Sequence, residues 1–157
     1  MDYRNNASYG KRQEFIAMAK LLENGFDVYP SLVDDMGIDC VVRINEEVYL
    51  DIQIKSRSNN TKELGQRAYF PQIMIENPRD NYYFMLYSQY LDSYWIIPSL
   101  RIVEMADKKG SHISIMKNGK KKGSLSVRIG NSKGIPYPLF DIFKNEMGIK
   151  ILKDAGK

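Results

Sequence analysis

A chain of 157 residues is long enough for one domain with a sizeable core and too short for two comfortable ones. With 43% apolar residues, 27% charged residues and a net charge of +4, the composition is that of a soluble globular domain. The single cysteine, Cys40, excludes an internal disulfide and any paired-cysteine metal site. The opening MDYRNNASYGKRQE has no apolar run of the signal-peptide kind. No stretch approaches the roughly 20 apolar residues of a membrane helix. The expectation is a cytoplasmic protein without a membrane partner.

Residues 1–10 read as a loose lead-in, and a helix is predicted from Lys11 to Asn24. At about 100° per residue, Phe15, Ala17, Met18, Ala19, Leu21 and Leu22 fall on one arc, with Arg12, Gln13, Lys20, Glu23 and Asn24 mainly opposite. Glu14 falls inside the apolar arc. A carboxylate turned toward a core is costly unless it is paired or bound. The alternative is that Glu14 lies in the first turn, solvated and favoured by the helix dipole. Gly25 suits the left-handed residue that ends a helix.

Three strands follow. Phe26–Val33 alternates apolar and polar, and Pro30 marks it as an edge or bulge. Residues 34–37 form a turn, Ile38–Ile44 a buried strand, Asn45–Glu47 a reversal, and Val48–Lys55 the third strand. A polar loop covers residues 56–65, and a short helix interrupted by Pro71 is predicted over Gln66–Ile75. Tyr82–Tyr87 and Tyr94–Ile97 are β-prone and suit a hairpin. Pro98 and Ser99 start a helix through Ala106. Ile113–Met116 and Ser124–Ile129 form a hairpin with a lysine-rich tip, and Leu139–Met147 is a closing helix. The order implies a single α/β domain with one mixed sheet flanked by helices. Its core covers about 11–98, and the hairpin and closing helix about 108–150.

Period-2 alternation in the third strand puts Leu50, Ile52 and Ile54 on one face and Asp51, Gln53 and Lys55 on the other. A tight turn between the second and third strands brings Asp39 beside Gln53 and Lys55. The bland interpretation is a solvent face. The other is a centre for a hard cation such as Mg²⁺ or Mn²⁺, which favours carboxylate and carbonyl oxygens, with Lys55 placed to donate to an oxyanion. Cys40 points away from Asp39 and is a core thiol, and the lone histidine, His112, leaves no Cys-His pair. Glycine-rich phosphate loops, His-Glu-x-x-His and Gly-x-Ser-x-Gly are all absent.

Glu14 in an opening helix, Gly37-Ile38-Asp39 and Gln53-Ile54-Lys55-Ser56 together resemble the PD-(D/E)XK, or restriction-endonuclease-like, nuclease superfamily. They are most similar to a bacterial branch of small members with a Gly-Ile-Asp…Gln-x-Lys pattern. The resemblance covers about Lys11 to Pro98. It implies a restriction-endonuclease-like core in which Asp39, Gln53 and Glu14 bind a metal and Lys55 is the catalytic lysine. Gln53 stands where the family usually has an acid, so it brings an oxygen without charge. Asp51 could supply that charge or serve structure. The residue before Asp39 is Ile38 rather than the proline that names the motif.

From Lys108 to Phe140 there is no acid, while Lys108, Lys109, Lys117, Lys120, Lys121, Lys122, Arg128 and Lys133 are all cationic. Such a segment suits a polyanion or is a solvated hairpin. Lys120, Lys121, Lys122 and Arg57 are the expected phosphate contacts. The expectation is a Mg²⁺-dependent (or Mn²⁺-dependent) endonuclease acting on nucleic acid, DNA first, as a possible homodimer. The alternative is a weak or inactive nuclease-fold module that binds nucleic acid or a protein partner in a defence or mobile-element system.

Overall fold

The computed structural model describes residues 6–33, 36–59 and 61–157. Asp34 and Asp35 of the expected turn, the first half of the lead-in and Asn60 of the polar loop lie outside the described residues.

Helix α1 spans Asn6–Glu23, so it begins well before Lys11. Glu14 is therefore mid-helix, and the first-turn explanation for it does not hold. Ala17, Met18 and Leu21 face the core, whereas Phe15 and Leu22 are about half exposed at 53% and 55%. Gln13, expected on the outer side, is buried and donates to Gln89 Oε1 at 3.0 Å. The buried stripe is thus narrower than the apolar arc and rotated toward Gln13. Gly25, at φ +84°, turns the chain out of the helix as expected.

The central sheet runs β1 (Asp27–Pro30), β2 (Cys40–Arg43), β3 (Tyr49–Arg57), β5 (Tyr82–Ser88) and β6 (Ser93–Pro98) in spatial order. All neighbours are antiparallel except β3 and β5, so the sheet is mixed. Pro30 lies on the edge strand, where its missing N–H costs no ladder bond. β5 is buried along its whole length because both faces of the sheet are covered. Tyr83, Met85 and Tyr87 pack toward α1 and α3 (Glu146–Asp154), while Tyr82, Phe84 and Leu86 pack on the other side.

That other side is covered by α2 (Ser99–Met105) and by a second sheet. Its order is β4 (Tyr69–Ile73), β8 (Leu125–Arg128) and β7 (Ile113–Ile115). β4 replaces the short helix predicted over Gln66–Ile75. Phe70 and Ile73 are drawn into the core between the sheets, and Pro71 is tolerated because β4 is an edge strand with a register shift. A parallel pair needs a long crossover. Here the β3–β5 connection makes that crossing through β4. The added hairpin is β7–β8. The closing segment is a 3-10 turn at Pro138–Phe143 followed by α3, split at Asn145 (φ 48°), which exchanges hydrogen bonds with Tyr94 on β6.

Candidate metal and nucleic-acid site

The centre of the site is the place where β2 ends and β3 continues. Cys40 pairs with Ile52, and one residue earlier the Asp39 amide donates to the Ile52 carbonyl at 2.9 Å. Beyond that point β3 has no β2 partner. The Asp39 carboxylate substitutes for the missing strand, with Oδ2 accepting from the Ile54 amide at 2.6 Å. Asp39 and Gln53 are the next residues on the two chains beyond the last paired residues, Cys40 and Ile52.

Asp39 is a strained anion electrostatically. Burial pushes its pKa up to about 6, the Ile54 N–H opposes that rise, and Glu14 adds to it by repulsion. The Lys55 and Lys11 ammonium groups pull the other way. The charges of Glu14, Lys55 and Lys11 thus all act on the Asp39 carboxylate. Glu14 stands on α1, with Oε2 2.8 Å from Lys11 Nζ. Lys55 is half-buried and has no hydrogen bond or ion pair among the described residues. A cavity of about 300 Å³, bordered by Lys11, Phe15, Ser31, Leu32 and Asp39, opens beside the carboxylate.

Gln53 is nearly sealed, at 5% exposure, and its Oε1 accepts from Tyr82 Oη at 3.1 Å. Gly37 lies against its amide: a Cβ there would sit 2.5 Å from Nε2, and the backbone takes φ +70°. Asp51 does not join the centre, because its carboxylate pairs with Arg79, whose guanidinium also lies over the Tyr82 ring. Cys40 is buried and its thiol is pushed up to about 12 by burial and by the neighbouring carboxylates, consistent with a core thiol. Arg57 donates from Nε to the Tyr69 carbonyl at 2.5 Å, and burial lowers its pKa. Lys120, Lys121 and Lys122 stand exposed at the hairpin tip. Arg79 was given no role from the sequence, and Gly37 and Tyr82 were named there without their contacts to Gln53. A glycine two residues before Asp39 was the one available signal.

The donor set suits a hard divalent cation in part. Two carboxylates that repel each other in a partly desolvated place are relieved by such a charge. Gln53 adds a neutral oxygen with one lone pair still open. Among the described residues no three His, Cys, Asp or Glu side chains are grouped to hold a metal ion. The protein ligands would be few and water would complete the shell, an arrangement Mg²⁺ tolerates.

Compared with models of known protein families and with curated proteins, the sequence matches none. Among solved structures it is similar to a bacterial homing endonuclease, I-Ssp6803I. The TM-score is 0.59 and the identity 16%, with 98% of each chain covered. The chain has the fold of that endonuclease. Among the described residues no helix is long and apolar enough to cross a membrane.

Proposed function

We propose that the chain is a metal-dependent nuclease of the PD-(D/E)XK type that hydrolyses phosphodiester bonds in nucleic acid, DNA in the first instance. The observation that carries this reading is the partly buried Asp39 carboxylate, fixed by the Ile54 amide and set in the field of Glu14 and Lys55. The fold shared with a homing endonuclease supports it further.

Glu14 and Asp39 would hold Mg²⁺ or Mn²⁺, with the Gln53 oxygen beside them. Such an ion, when bound, supplies positive charge to a phosphate that gains negative charge as it reacts. Asp39 is kept in place by the Ile54 amide, so its free oxygen is oriented before any ligand arrives. Lys55 has no competing acceptor among the described residues, and its ammonium can donate to a non-bridging phosphate oxygen or fix an attacking water.

The test is cleavage of single-stranded, duplex and branched DNA with Mg²⁺ and with Mn²⁺. Lys55→Ala and Asp39→Ala are each expected to lose roughly 100- to 1,000-fold in rate with the fold retained. A wild-type protein inert with both metals on all three substrates refutes the reading.

One observation favours a second reading, a binding module without turnover: Gln53 is uncharged and its oxygen already accepts from Tyr82. In that case salt-sensitive nucleic-acid binding persists in Lys55→Ala and weakens when Lys120, Lys121 and Lys122 are replaced by alanine.

A further inference from the structure

The small sheet has one buried face and one open face. Leu125 and Val127 of β8 point into the core, while Ser126 and Arg128 point outward. On the open face lies a cavity of about 390 Å³, bordered by Tyr69, Lys108, Ser111, His112, Ser126 and Arg128. It is separate from the Asp39 centre and shares no lining residue with the cavity there.

Two of its side chains are held on aromatic platforms. Tyr69 is the register partner of Arg128, and the guanidinium carbon lies 4.1 Å from the Tyr69 ring centroid. The His112 imidazole stacks on Tyr137 at 3.8 Å with a 6° interplanar angle. The Arg128 amide donates to the His112 carbonyl at 2.9 Å, so the two residues are neighbours. Arg128 has no hydrogen-bond acceptor or ion-pair partner for its guanidinium among the described residues. The one acid at the rim, Asp107, spends Oδ1 on the Ile115 amide at 3.1 Å. Lys108 lies 3.6 Å from Glu104 on the exposed side.

An arginine fixed by stacking, with its fork of N–H donors unspent beside an imidazole and serine hydroxyls, matches a phosphate group. The same two strands end at the tip carrying Lys120, Lys121 and Lys122. Measured along the hairpin, tip and cavity are on the order of 15–20 Å apart at about 3.3 Å per residue. At about 3.4 Å of axis per phosphate on one strand, that span covers about five phosphates. A free anion needs one station, whereas a polyanion uses both.

We propose that the open face of the small sheet is a backbone-binding subsite for nucleic acid, with Arg128 and His112 holding one phosphate and the lysine tip another. This rests on nucleic acid being the ligand and not on cleavage. The test is binding of duplex DNA by the whole chain in metal-free buffer across a salt series. Arg128→Gln and His112→Ala are compared with Lys150→Ala on α3, behind the central sheet, and melting curves confirm the fold of each variant. Loss of the Arg128 cation is expected to reduce the slope of log K against log salt by about 0.9, and His112→Ala to weaken binding several-fold without that change of slope. Lys150→Ala is expected to leave the slope unchanged.

An unchanged slope in folded Arg128→Gln, or unchanged affinity in folded His112→Ala, overturns the subsite, as does equal loss in Lys150→Ala. Competition by inorganic phosphate or a mononucleotide at concentrations matching DNA phosphate also overturns it, in favour of a free-anion site. A wild-type protein that does not cleave, but whose slope falls with Arg128→Gln, retains the subsite and loses the nuclease reading. One that cleaves with unchanged slopes does the reverse.

Discussion

The two sheets use charge in opposite ways. The central sheet is covered on both faces, and a buried carboxylate is held where β2 stops short of β3. There burial makes each charge expensive, so Asp39 is poised near pKa 6 and Lys55 counts as a strong local field. The small sheet leaves one face to solvent, and its cations sit on aromatic rings or at an exposed tip. Chemistry at a phosphorus atom benefits from desolvation, which strengthens every interaction. Gripping a long polyanion needs reach and exposed cations that release counterions. On the proposed reading, one chain meets both demands by giving each its own sheet.

Three substitutions sharpen that contrast, all in or beside the central sheet. The largest effect is expected from Gly37→Ala, which places a methyl against the Gln53 amide at a positive φ. It should cost roughly 2–4 kcal/mol of stability, read by denaturant unfolding. A loss below about 0.5 kcal/mol would mean that the loop does not seal Gln53.

Asp39→Asn tests the cost of the buried charge. The folded pKa of about 6 lies above the ordinary 3.8, so the folded state holds a proton that the unfolded chain releases. Wild-type stability therefore falls as pH rises from about 4 to about 6 and stays lower above that. The asparagine variant keeps an oxygen for the Ile54 amide and lacks the charge. It should be more stable than wild type by roughly 1–3 kcal/mol at pH 8 and little different at pH 4, while losing metal-dependent cleavage. Thermal melts at the two pH values measure this. Equal effects at both pH values would remove Asp39 as the strained group.

The smallest effect is expected at Asp51, whose side chain shares the strand face of Lys55 and pairs with Arg79. Asp51→Asn should cost about 1 kcal/mol and leave the cleavage rate within a few-fold of wild type. A loss as large as that of Lys55→Ala would make Asp51 part of the catalytic centre.

Much of the site could be read along the chain because it is local. Asp39, Gln53 and Lys55 lie on adjacent antiparallel strands joined by a short reversal, and two-residue alternation decides their face. The helical placement of Glu14 was also legible, although its position in the middle of α1 depended on where the helix began. The Gln66–Ile75 segment was misread as helix because its strand character comes from pairing with β8, more than fifty residues later. Gln13 was misplaced because polar residues are assigned outward by pattern, whereas Gln89 supplies this one with a buried partner.

The sequence by itself determined that three polar residues share one face of β3, that an acid stands at the start of the second strand, and that a long segment near the C-terminus has cations and no acids. Tertiary structure alone decided what became of those three. Asp51 is neutralised by Arg79, Gln53 is held by Tyr82, and the Lys55 charge is left to act on Asp39. Arg79 and Tyr82 reach β3 only because β5 pairs with it in parallel after a crossover through another sheet. Strand alternation assigns a side chain to a face, but its partner there is set by non-local packing.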